Sequence, residues 1–537
     1  MKRMLISALL LISAAAMPAL AQEPETVDNS AYILTPKAPD TPRINGAKVY
    51  GVRPGADFLY RIPATGVRPM SFAAKGLPKG LKLDASTGII TGKVKKAGTY
   101  KVTLTATNAL GSTEREFTVK VGDRIALTPP MGWNSWNCWG NSVSQEKVMI
   151  SARAMLEKGL ADYGWSYINI DDGWQGLRGG KYNAIQPNSK FADMKELADF
   201  LHSNGLKLGI YSGPWVATYA AHIGTSCDSP DGKYKMVEDG IVDEFFKLDR
   251  SKMKRDSLWF FGEYSFARQD ARQWADWGVD YLKYDWNPTD PWWLRDMREA
   301  LLATGRDIVY SISNSSKLAM GPALGKNAEC WRTTGDIRDN WDSIYKIGFE
   351  GQDKWAGFKC PGNWPDADML VVGKVGWGPK THWTKLTADE QYTHITLWSI
   401  LASPLLIGCD MGELDDFTLS LLCNSEVIDV NQDALGIQGA RQEGDDKHAI
   451  YVKPLEDGSM AVAMFNFTGE PLKMGFQPVK LGLIGEQTVR DLWRQEDIAK
   501  VRQTDRWESE VAPHGTVFLK FYPGCQNVKL KGFCRNK

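Results

Sequence analysis

The stretch Trp277-Gly-Val-Asp-Tyr-Leu-Lys-Tyr-Asp285 decides the fold class. Residues Ala267–Trp277 repeat apolar positions at helical spacing, and Gly278 is the residue expected just past a helix C-terminus. An apolar run, Val279–Tyr284, follows at once and ends on an acid. The same order recurs upstream in Tyr167-Ile-Asn-Ile-Asp-Asp-Gly-Trp174 and Gly205-Leu-Lys-Leu-Gly-Ile-Tyr211, and downstream at Asp307–Ser311. Helices are read at Ser144–Lys158, Lys195–Ser203 and Pro291–Thr304. Short apolar strands alternating with helices over about 300 residues predict a parallel sheet wrapped by helices, most simply a (β/α)8 TIM barrel. An open doubly wound sheet is the alternative, but no GxGxxG follows a strand.

The texture differs on both sides. Between residues 43 and 122 apolar and polar residues alternate, as in Tyr100, Val102, Leu104 and Ala106, and turns such as Asp84-Ala-Ser-Thr-Gly88 separate the runs. This segment is similar to bacterial Ig modules from Gly76 to Asn108, which implies an all-β Ig-like sandwich. Beyond Gly436 strand patterns return at His448–Val452, Met460–Phe467 and Thr516–Tyr522, predicting an antiparallel β-sandwich. The expected organisation is a signal peptide at 1–21, a linker at 22–42, the Ig-like module at 43–122, the barrel at 123–435 and a C-terminal sandwich at 436–537. Lys2 and Arg3, the apolar run Met4–Met17 and Ala19-Leu-Ala21 read as a cleavable export signal, giving a periplasmic or secreted product. The run is too short to span a bilayer.

Composition narrows the function. The 537 residues carry 64 Lys+Arg against 64 Asp+Glu, so no net positive field attracts nucleic acid. There are 21 Trp and 6 His, which favours an apolar-faced, polar-rimmed ligand such as a sugar over a multi-metal site. The eight cysteines show no CxxC; Cys525 and Cys534 are spaced to close a small loop. Oligomeric state stays open.

Polar residues cluster where strands end. Asp171 and Asp172 follow one strand, Tyr211 ends another, and Lys283 and Asp285 close a third. In a barrel these ends share one rim, where active sites form. A helix N-cap pair is the plainer account of Asp171 and Asp172. Lys283, two residues before Asp285, would favour its ionised form. Asp336 adds an acid four residues after Arg332. Two carboxylates from different strands suit glycoside hydrolysis, in which one attacks ionised and the other carries a proton.

Those motifs, with Thr128-Pro-Pro-Met-Gly-Trp-Asn-Ser-Trp136, Pro361-Gly-Asn-Trp-Pro-Asp-Ala-Asp-Met-Leu370 and Val430-Asn-Gln-Asp-Ala-Leu-Gly436, resemble glycoside hydrolase family 27, the α-galactosidase and α-N-acetylgalactosaminidase group. The resemblance implies a retaining mechanism, with Asp285 as nucleophile and Asp336 as general acid and then base. It implies that Asp171 and Asp172 bind sugar hydroxyls, that Trp136 packs on the sugar, that Tyr211, Lys283, Ser313 and Arg332 complete the pocket, and that no metal or cofactor is required. The carboxyl groups of such a pair stand about 5–5.5 Å apart.

The chain departs from the family pattern in three places. Trp286 and Asn287 stand where the family places a cysteine that pairs with the loop holding Cys227. A long charged insertion separates Ser212 from Phe266; it is either a solvated excursion or a subsite wall offering Trp215, Trp259 and Phe260. Ser313 and Ser316 are small where galactosidases tend to present Glu-Trp, so the alternatives are α-N-acetylgalactosaminidase or β-L-arabinopyranosidase. An inactive carbohydrate-binding protein is the competing class.

Overall fold

The computed structural model describes residues 28–523. The expected signal segment, Cys525 and Cys534 lie outside them. Eight parallel strands are hydrogen-bonded in strict chain order: β1 (Met131–Asn134), β2 (Tyr167–Asn169), β3 (Lys207–Ser212), β4 (Val279–Asp285), β5 (Val309–Ser313), β6 (Cys330–Arg332), β7 (Trp364–Asp366) and β8 (Leu405–Ile407). β8 pairs with β1, and a bridge from Leu370, just beyond β7, to Ile407 closes the ring. β4 is buried along its whole length, which explains why its sequence reads as an apolar run rather than an alternation. The helix Ala267–Trp277 stops at Gly278, whose φ of 95° a side chain would resist.

Tryptophan is mainly a building material here. Nine tryptophans, among them Trp133, Trp174, Trp274, Trp286 and Trp331, are fully buried in the barrel core. The composition reading, which assigned the excess to a sugar, is corrected to that extent: large flat side chains fill the spaces between strands and helices.

The Ig-like module packs a four-stranded sheet (Val49–Val52, Gly111–Val121, Gly98–Asn108, Ser71–Lys75) on a three-stranded one (Asp57–Arg61, Ile89–Lys93, Leu81–Leu83). It docks on the end of the barrel where strands begin. Lys207, at the start of β3, donates to Tyr50 Oη at 2.9 Å and lies over the rings of Tyr50 and Tyr167. Arg53 pairs with Asp307, and Arg61 and Arg68 reach Asp162 at 3.2 and 2.9 Å. A cavity of about 340 Å³ at this junction is lined by Tyr60, Lys207, Asp280 and Arg306, whose charges pair within the protein. The C-terminal domain is a six-stranded antiparallel sheet that runs from Ala440–Gly444 to Glu496–Arg502, with a two-stranded partner, Leu472–Phe476 and Trp507–Val511.

Candidate active site

The opposite end of the barrel, where strands finish, gathers all nine residues singled out above. Asp285 is the last residue of β4 and is buried. Tyr211 of β3 donates its hydroxyl to Asp285 Oδ2 at 3.0 Å, while Oδ1 is buried without a protein partner. The chain leaving β3 runs hard against this residue: a Cβ on Gly213 would sit 2.6 Å from the carbonyl oxygen of Asp285. Glycine is required there by close approach rather than by its φ.

Asp171 and Asp172 follow β2 directly. They cap no helix; the next element is the hairpin Gln175–Gly179 with Ala184–Pro187. Asp171 Oδ2 accepts from Lys283 Nζ and from Asn134 Nδ2, both at 2.8 Å. Asn134 in turn accepts from the backbone N–H of half-buried Trp136 at 2.9 Å, which orients that indole at the rim. Asp172 is held by the loop after β3: its Oδ1 accepts from the Thr218 hydroxyl and its Oδ2 from the Ala220 N–H, each at 2.8 Å, which leaves each oxygen able to accept once more. Burial outweighs these bonds and pushes Asp172 up to about 7.

Lys283 therefore pairs with Asp171 rather than with its strand neighbour Asp285, and reaches Asp285 only through space. Burial raises Asp285 to about 7; Lys283 and the Tyr211 bond pull it down, and the charges of Asp336 and Asp171 push it up. Asp336 is different. Its side chain is half exposed, and although partial burial raises it, Arg332 and Lys283 hold it below the usual carboxylate range. Arg332 is buried; one nitrogen lies 3.2 Å from Asp336 Oδ1 and the other 2.7 Å from Asp368 Oδ1.

Asp366 and Asp368 were quoted in a motif but not singled out, and they belong to this site. Asp368 anchors Arg332 and accepts from the Ile337 N–H at 2.8 Å, so it fixes the segment that carries Asp336. Asp366 accepts from the Asp368 N–H at 2.8 Å, and burial raises it to about 6. Their signal was available: two acids close together where an apolar stretch ends are costly to bury unless they are paired. Asn134, another strand-end polar residue, was missed in the same way.

Ser212 and Ser313 are the last residues of β3 and β5, and Ser316 lies three residues further on; each has a buried Oγ without a partner among the described residues. With Asp285 Oδ1 they are unpartnered hydrogen-bonding atoms at the ends of β3, β4 and β5, a chemistry suited to a hydroxyl-rich ligand. Cys227 is a free, buried thiol, and Trp286 packs edge-on to Tyr284 at 5.3 Å where the family would set a cysteine.

The insertion between β3 and the next helix is a folded wall with one solvated face. Val216 and Ala217 donate to the carbonyls of Phe260 and Leu258 at 2.9 and 3.2 Å, and Trp259 Nε1 donates to the Thr218 carbonyl at 3.1 Å. Leu258, Phe246 and Met236 are buried, while Arg250, Ser251 and Lys252 face solvent.

The family model described as "Alpha galactosidase A" matches residues 128–258 and 250–433, and that for the "Alpha galactosidase C-terminal beta sandwich domain" matches 445–521. A model for an Ig domain matches 41–122. Alpha-galactosidase 2 of Arabidopsis thaliana is 33% identical over 425 residues, 77% of this chain and 94% of the relative. Alpha-N-acetylgalactosaminidase of Gallus gallus is 30% identical over 428 residues, 74% of this chain and 94% of that one. A Bacteroides fragilis crystal structure, provisionally named an alpha-galactosidase/melibiase, superposes with a TM-score of 0.78 at 36% identity, covering 89% of this chain and 97% of that one.

Proposed function

The chain belongs to the alpha-galactosidase A family, glycoside hydrolase family 27, and on that footing we propose that it removes terminal α-linked galactose from glycans by double displacement. The observation that carries this reading is the unequal pair at the barrel mouth, with Asp285 buried against Tyr211 and Asp336 half exposed on Arg332. In the first step a carboxylate oxygen of Asp285 attacks the anomeric carbon while Asp336 gives a proton to the departing glycosidic oxygen. In the second, Asp336 takes a proton from water, which displaces Asp285 from the sugar.

In the free pocket burial favours the protonated form of Asp285, and Arg332 favours the ionised form of Asp336, the reverse of what attack requires. Substrate corrects this in two ways. A sugar seated at the mouth strips water from the half-exposed Asp336 and raises it, since desolvation disfavours the charged form. A sugar hydroxyl donating to the unpartnered Oδ1 of Asp285 stabilises its anion. Asp171, held by Lys283 and Asn134, and Asp172 bind further hydroxyls, including the axial one that distinguishes galactose from glucose. A misplaced hydroxyl there leaves desolvated carboxylates unpaired.

Ser313 and Ser316 favour a second reading at the same site. Their small side chains leave room beside the 2-position for an N-acetyl group, as an α-N-acetylgalactosaminidase needs. Rates on the p-nitrophenyl glycosides of α-galactose, α-N-acetylgalactosamine and β-L-arabinopyranose decide between them. Galactoside turnover at least tenfold above the others is the expected result, and turnover of none defeats the reading. We also infer export, carried by Lys2, Arg3 and the apolar run to Ala21; a mature chain that begins at Gln22 is the expected product.

A further inference from the structure

The segments after β3 and β4 hold aromatic side chains that the core absorbs only in part: Trp259 and Trp293 pack against it, while Tyr219, Phe261 and Trp292 are exposed. Tyr219 is 38% exposed, lies edge-on to Trp215 at 5.4 Å and is tilted on Trp259 at 6.3 Å. Its neighbours Thr218 and Ala220 are the two groups bonded to Asp172, so it stands at the pocket lip. Burial, followed by the charges of Asp285 and Asp336, raises its hydroxyl, which agrees with a position beside both carboxylates.

Two residues beyond Trp259, Phe261 stacks on Trp293 with centroids 4.8 Å apart and planes 6° apart. Trp293 meets Trp292 edge-on at 4.6 Å. Phe261 and Trp292 are 37% and 48% exposed. The geometry is built in. Asp290 accepts from the N–H groups of Trp292 and Trp293 at 2.8 and 3.2 Å, and Pro291 opens the helix, so both indoles are presented from a rigid first turn. On the other side Gly262 donates to Ser226 Oγ at 2.8 Å, which pins Phe261.

Two ring clusters, Tyr219 with Trp215 and Trp259 and then Phe261 with Trp293 and Trp292, follow one another across these loops and expose three rings, and an exposed aromatic patch of this kind marks a binding surface. Its position selects the occupant. A protein partner or second copy seated on Tyr219 would close the mouth that Asp285 and Asp336 need open. The part of the substrate beyond the scissile bond must leave through that mouth, and sugar rings offer apolar faces to aromatic rings. We propose that Tyr219, Trp259, Phe261, Trp293 and Trp292 form an aromatic track for the sugars on the leaving-group side, so that the preferred substrate carries its terminal residue on an oligo- or polysaccharide chain. This rests on the glycosidase reading above.

The test is a length series. Rates are measured on the p-nitrophenyl glycoside and on galactose-terminated di- to pentasaccharides, with the wild type, Trp292→Ala, Trp259→Ala and Trp292→Phe. The wild type should gain at least tenfold in kcat/KM with length, through KM. Trp292→Ala and Trp259→Ala should lose most of that gain, and Trp292→Phe should recover it. Rates independent of length overturn the track, as does a gain that survives both alanine variants or an equal loss on every substrate. A dimer in sedimentation that buries these rings also overturns it. If the p-nitrophenyl panel selects another sugar, the series is built on that sugar, and the galactose reading fails without the track. Binding of the pentasaccharide to Asp285→Asn, read by tryptophan fluorescence, reports the track even where no turnover is seen, and equal affinity in Asp285→Asn with Trp292→Ala would refute it.

Discussion

Lys283 Nζ lies 2.8 Å from Asp171 Oδ2, so the cation two residues before Asp285 on β4 is committed to a carboxylate on another strand. Both side chains are almost fully enclosed. A buried pair of this kind is more costly to halve than it is valuable whole, by about 3–5 kcal/mol when one partner is removed. Lys283→Met should therefore reduce kcat/KM at least a hundredfold and lower thermal stability, whereas Lys283→Arg should recover part of both. Circular dichroism melts alongside rates separate the two effects; unchanged rates would show that Asp171 does not orient substrate.

Among the described residues, Tyr211 provides the one hydrogen bond to the carboxylate of Asp285. Hydrogen bonds to charged groups contribute about 1.5–3 kcal/mol, so Tyr211→Phe should slow the glycosylation step by about ten- to a hundredfold. The bond favours the anion, and its loss raises Asp285 further. The alkaline limb of the kcat/KM profile should then move to higher pH. A limb that stays in place would mean another group controls it.

The pair at the mouth holds a single proton between the low value of Asp336 and the value of about 7 for Asp285. Activity requires that singly protonated state. The kcat/KM profile should be bell-shaped, falling below the ordinary carboxylate range of about 3.9 as the second proton binds, and falling above about 7 as the last one leaves. A flat profile from acid to neutral pH contradicts it. Asp285→Asn should remove activity on every substrate. Asp336→Asn should lose far less on a p-nitrophenyl glycoside than on an oligosaccharide, because a good leaving group needs little protonation.

The Ig-like module meets the barrel through Tyr50, Arg53, Arg61 and Arg68, against Lys207, Asp307 and Asp162. Removing residues 28–122 would leave those barrel charges without these partners. The shortened chain should melt at least about 5 °C lower, while retaining its kcat on a small glycoside at 25 °C. An unchanged melting temperature would mean the module is only tethered.

Much of this was legible before any coordinates, and the limits have physical causes. β4 and the helix before it were visible because an apolar run and a terminal glycine are local signals. Asp171 and Asp285 were visible because a carboxylate at a strand end has few structural uses. The partner of Lys283 was not visible: proximity along β4 suggested Asp285, but the geometry that selects Asp171 is made by the neighbouring strand ends. Asp368 was overlooked because its task is to hold Arg332, and no local pattern distinguishes an acid that anchors from one that caps. The insertion read as charged because its charges are consecutive, whereas its buried Leu258 and Phe246 are scattered.

Asp172 uses one oxygen on Thr218 and the other on the Ala220 N–H. The segment bearing Tyr219 is thus a fixture of the barrel, and its conformational entropy is surrendered when the chain folds, not when substrate arrives. Association should accordingly carry little ordering penalty from this side of the mouth. On the Tyr219 side the pocket is a socket already cut to shape.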